Sequence, residues 1–114
     1  MKTITLKFDR KELRAFNVIW DVELPEPSRF IGDTTPAERR MEKLLRLAAK
    51  ELAQKFVKRM VDGAENTKFK LKETEAIVLV NYMDLVSGLR TESFGIYGDL
   101  VFREVYWKLD RGTA

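Results

Sequence analysis

Four basic side chains, Arg39, Lys43, Arg46 and Lys50, recur at steps of four, three and four residues. On a helix that spacing collects them on one side, as a row of cations able to follow phosphates, so nucleic-acid binding is one function the sequence supports. Arg40 and Lys58 flank the row, and Arg14, Lys68, Lys70 and Lys72 extend it if the fold brings them alongside. Any soluble helix turns its charges away from its apolar face, so a solvated flank accounts for the same pattern. No aromatic residue interleaves with these cations, and no helix-turn-helix signature accompanies them.

Other chemistry is thinly supplied. The 114 residues include no histidine and no cysteine. The usual general base near neutral pH, the Ser-His-Asp arrangement, thiolate nucleophiles and thiolate metal sites are therefore missing, as is a disulfide scaffold. Gly95-Ile96-Tyr97-Gly98 is too short for a phosphate-binding glycine loop. Glu23, Glu26 and Asp33 share a proline-containing stretch where carboxylates could ligate calcium or magnesium, but their spacing matches no known loop and a solvated acidic loop is the simpler account. Asn81 and Asp84 lie three apart in an otherwise apolar segment and mark either a ligand pocket or an interhelical hydrogen bond. The expectation is a protein without catalytic residues, cofactor, metal or identifiable small-molecule substrate.

Protein contact is the better-supplied alternative. Phe94, Tyr97, Phe102, Tyr106 and Trp107 fall within fourteen residues near the C-terminus. Helical spacing sends Phe102 and Tyr106 to the core, whereas Leu100 and Trp107 occupy a different face. Phe56, Val57 and Met60 end the segment that carries the basic row. These five, Phe56, Val57, Met60, Leu100 and Trp107, are the candidate protein contacts. The leading expectation is a small, non-enzymatic interaction or structural module that self-associates. Its alternative is an accessory nucleic-acid-binding protein using Arg39, Lys43, Arg46 and Lys50.

The elements that must position these residues follow from local signals. Thr35-Pro36-Ala37-Glu38 pairs a capping Thr and Glu with proline at the first helical position, and Gly63 supplies a left-handed stop, which predicts one helix over 36–62. Its apolar stripe is Met41, Leu45, Ala48, Leu52, Phe56 and Met60. At 1.5 Å per residue such a helix is about 40 Å long, as long as the domain, so a projecting end bearing Phe56, Val57, Met60 and Val61 would want a partner. A second helix over 73–87, apolar around most of its circumference, predicts a central and nearly all-buried element.

Thr3 to Phe8 alternates as a half-buried strand. Asp9 and Glu12 then cap a helix over 10–22, although alternation from Phe16 to Leu24 keeps a hairpin over 3–24 open. Leu6-Lys7-Phe8 before Glu12 is echoed by Phe69-Lys70-Leu71 before Glu75, each a short strand feeding a helix, and pairing the two strands satisfies their backbones. The last segment, 91–111, reads as a helix regular from Asp99, with a strand across 96–109 the competitor.

The predicted fold class is therefore mainly α, about four helices around one core with a short two-stranded β element. An α+β arrangement with an N-terminal hairpin on two helices is the alternative. Length predicts a single domain over 1–114. Ala76 to Val80, five residues, is the longest apolar run, so neither a signal peptide nor a membrane span is expected and the cytoplasm is the default compartment. Charge is uneven: residues 36–72 hold eleven basic and five acidic groups, whereas residues 73–114 hold four and seven.

Overall fold

A computed structural model describes residues 2–22, 35–89 and 93–114. Four helices and one two-stranded antiparallel sheet share a single core: β1 (Thr3–Asp9), α1 (Arg10–Phe16), a 3₁₀ turn (Asn17–Asp21), α2 (Pro36–Asp62), β2 (Asn66–Lys72), α3 (Glu73–Leu89) and α4 (Gly95–Thr113). The mainly helical prediction holds.

The sheet forms between the two echoed segments and not as an N-terminal hairpin, with Leu6 opposite Phe69 and Ile4 opposite Leu71. Residues directly opposite share a face, so Ile4, Leu6, Phe8, Thr67, Phe69 and Leu71 are all buried while the lysines between them face outward. Each strand runs straight into a helix by the same device. The backbone N–H of Asp9 donates to Glu12 Oε1 (2.9 Å), completing a capping box in which Glu12 N–H donates to Asp9 Oδ1 (2.7 Å). Likewise Lys72 N–H donates to Glu75 Oε1 at 3.0 Å.

The expected helix over 10–22 is α-helical only to Phe16 and tightens into the 3₁₀ turn. The turn is tied to α2 through buried Asn17, whose Nδ2 donates to the Phe56 carbonyl (3.3 Å) and whose Oδ1 accepts from Trp20 Nε1 (2.9 Å). That pairing satisfies a polar side chain the core would otherwise exclude.

Helix α2 has the predicted limits: Thr35 Oγ1 accepts from Glu38 N–H (3.2 Å), and Gly63 takes φ +74, a left-handed geometry glycine adopts without steric cost. Its stripe departs from expectation at the first half. Ala49, Leu52 and Phe56 are buried, Leu45 and Ala48 are half-buried, and Met41 is 66% exposed along with Leu44 and Leu47. Among the described residues the less covered end of this stripe is thus the N-terminal one. The C-terminal end is held by rings: Phe56 is completely buried among Phe69, Phe16, Trp20 and Phe8.

Helix α3 buries Ala76, Leu79, Val80, Tyr82, Met83 and Val86 against α2 and α4. It is less enclosed than predicted, because Asn81, Asp84 and Ser87 are exposed on its outer side with Ile77 partly open beside them. Helix α4 starts at Gly95, four residues before the expected Asp99, since the Asp99 carboxylate reaches back to accept from Phe94 N–H (3.1 Å) and Ser93 Oγ (2.8 Å). The strand alternative over 96–109 is overturned.

A candidate protein-contact surface

Helix α4 is apolar on two opposite sides. Val101, Phe102, Val105 and Leu109 recur at steps of one, three and four residues and are buried against the core. Ile96, Leu100 and Trp107 stand four and seven residues apart, which returns them to one line on the other side. They are 94%, 48% and 58% exposed. The eleven helical rises from Ile96 to Trp107 make this outer stripe about 16 Å long. A solvated helix ordinarily presents polar groups there, so three exposed apolar side chains on one line, with Arg103 and Glu104 at the turn between Leu100 and Trp107, are the feature that calls for a partner.

Charges border the stripe on both flanks. Arg103 and Asp110 lie on one side of Trp107, Glu104 and Arg111 on the other, and all four are exposed. No ion pair among the described residues engages any of them; the Arg111 guanidinium instead donates through Nε to the Trp107 carbonyl (3.3 Å). Arg103 also borders a groove between α3 and α4 that holds Asp84 and Asp99.

The other predicted contacts separate. Leu100 and Trp107 lie on the outer stripe of α4, and Ile96, which sequence reasoning passed over, joins them; its four-residue step to Leu100 was the available signal. Phe56, expected as a contact, is instead part of the core, because a side chain enclosed by four rings has no surface to offer. Met60 is half-buried against the core and accepts a contact from Asn17 Nδ2 at its sulfur (3.4 Å). Val57 is 37% exposed but sits on α2 and not on the α4 stripe, one turn before Val61, which is 75% exposed.

The basic row is also divided. Lys43 and Lys50 are exposed, Arg39 is half-buried, and Arg46 turns inward to pair with Glu42 (2.6 Å). Arg46, Lys50, Trp20 and Tyr82 line a cleft of ≈ 460 Å³, where burial pushes the Tyr82 hydroxyl pKa up. A second cationic surface lies on the sheet: Lys7 is directly opposite Lys68, with Lys70 and Lys72 on the same outer face. The strand register decides that placement.

Of the polar pair on α3, Asp84 accepts a hydrogen bond from the Tyr106 hydroxyl of α4 (2.6 Å), the interhelical alternative of the two foreseen. That bond to a carboxylate holds the tyrosine in its protonated form and raises its pKa. The acidic stretch with Glu23, Glu26 and Asp33 lies outside the described residues. Among the described residues no three acidic side chains converge as a metal site, and no helix is long and apolar enough to cross a membrane.

The chain matches no known family model, and neither a characterised protein nor a solved structure is significantly similar to it.

Proposed function

We propose that this protein is a non-enzymatic interaction module that self-associates through the outer face of α4. The observation that supports this reading is the exposed line Ile96, Leu100 and Trp107 on a helix whose opposite side is already committed to the core. An exposed tryptophan on such a face is the residue type that anchors protein contacts. One helix face is small beside the ~1,200–2,000 Å² of stable interfaces, so the association belongs to the weak, concentration-dependent class. Sedimentation equilibrium from about 10 to about 500 µM covers that affinity range. The native chain should gain mass across it, and Trp107→Glu should stay monomeric with unchanged helix content. A native chain that remains monomeric throughout defeats the proposal.

A second reading, polyanion binding, is favoured by the outer face of the sheet more than by α2. Lys7 and Lys68 face each other as a like-charged pair, an arrangement that weakens a sheet unless something negative covers it. Both strands are edges, however, and outward lysines also deter unwanted strand pairing, so the same residues have a use without any ligand. Nucleic acid is the polyanion this reading names.

A further inference from the structure

We infer that the occupant of the α4 face is α4 of a second copy, lying parallel and in register, so that each apolar residue of the stripe meets itself. The inference rests on the self-association proposed above and adds its geometry. It comes from how the four bordering charges are arranged.

In a parallel pair related by a two-fold axis along the helices, the left flank of one helix faces the right flank of the other. Arg103 then meets Glu104 of the second copy, and Asp110 meets Arg111, each pair being one residue, about 1.5 Å, apart in height. The symmetry doubles both contacts, giving four opposite-charge pairs around Trp107. The same register stacks Ile96 on Ile96, Leu100 on Leu100 and Trp107 on Trp107, so the whole stripe is covered. Because the buried line of α4 points away from this face, the two cores lie on opposite outer sides of the pair.

An antiparallel pair does less with the same residues, since equal flanks then face each other. Centred between Arg103 and Glu104, it sets Leu100 against Trp107 but brings Arg103 onto Arg103 and Glu104 onto Glu104, and leaves Asp110 and Arg111 opposite the uncharged positions 97 and 96. Centred on Trp107, it pairs Arg103 with Asp110 and Glu104 with Arg111 but sets neither Ile96 nor Leu100 against another residue of the stripe. Only the parallel register satisfies the charges and the apolar line together.

The two arrangements make opposite predictions for one charge exchange. Arg103→Glu alone should weaken association about five- to tenfold, as attraction becomes repulsion at two symmetric contacts of the exposed kind. Adding Glu104→Arg should restore native affinity in the parallel pair, because both partners are exchanged together. In the antiparallel pair centred on Trp107 the double variant sets a carboxylate at position 103 beside Asp110 and a guanidinium at position 104 beside Arg111, and association falls further. The chain has no cysteine, so Ile96→Cys and Leu100→Cys each introduce a single thiol. Both should oxidise to disulfide-linked dimers at the concentration where the native chain is dimeric, whereas a two-fold antiparallel pair can bring at most one of these layers onto itself. Rescue by the double exchange with cross-linking at both positions supports the inference. A native chain that dimerises while the exchange fails to rescue, or while either thiol stays unlinked, overturns the register and leaves self-association standing. A monomeric native chain overturns both.

Discussion

The rings of Phe56 and Phe69 lie 4.0 Å apart, centroid to centroid, and join the last third of α2 to the inner face of β2. Phe8, Phe16 and Trp20 close around Phe56 from the N-terminal elements. Truncation at Phe56 therefore opens the meeting point of five elements. Phe56→Ala should remove about 3–5 kcal/mol from the free energy of unfolding, much of what a small domain possesses. Urea unfolding followed by circular dichroism measures it, and a loss below about 1 kcal/mol would contradict the central placement of this ring.

Glu75 should govern part of the acid sensitivity. Burial pushes its carboxyl pKa up, but the Lys55 ammonium at 2.7 Å, the Lys72 backbone N–H and both positive charges outweigh it, so the net shift is down from the ordinary 4.5. A carboxylate with a lowered folded pKa adds stability that is fully present above its unfolded value and is lost as pH falls through the folded one. Glu75→Gln should thus be less stable than the native chain at neutral pH, with the two curves converging below pH 4.5. Parallel curves down to about pH 3 would show that the carboxylate carries no such linkage.

The like-charged pair on the sheet gives a prediction that bears on the second functional reading. Lys68→Glu turns the Lys7 contact from repulsive to attractive and should stabilise the fold by about 0.2–1 kcal/mol. Fluorescence anisotropy with labelled duplex and single-stranded DNA at low salt then tests binding. Under polyanion recognition the native chain binds with steep salt dependence and the stabilised variant binds less. A flat titration of the native chain removes that reading.

Much of the scaffold was legible because its signals are local. Thr35, Pro36 and Gly63 bracket α2 with chemistry that acts within one turn, and Glu12 and Glu75 announce the two helix starts by their distance from the preceding strand. The half of α2 that is left open was not legible. Met41 and Phe56 obey the same periodicity, and only the arrangement of β1, α1, β2 and α3 decides which of them is covered. The site was legible in part for a similar reason: Leu100 and Trp107 could be assigned to a separate face of α4 by spacing, whereas the inward turn of Arg46 toward Glu42 and the Lys7–Lys68 pair depend on rotamer and register.

By itself the sequence determined the limits of α2, the two segments that become strands, and that α4 carries apolar residues on more than one side, because capping, backbone preference and periodicity act over a few residues. Tertiary structure alone decided which end of the α2 stripe is enclosed in the core and which is left exposed. Burial is a property of neighbours brought together from distant parts of the chain, and no local pattern distinguishes Phe56, enclosed by rings from β1, α1, the 3₁₀ turn and β2, from Met41 on the same stripe of the same helix.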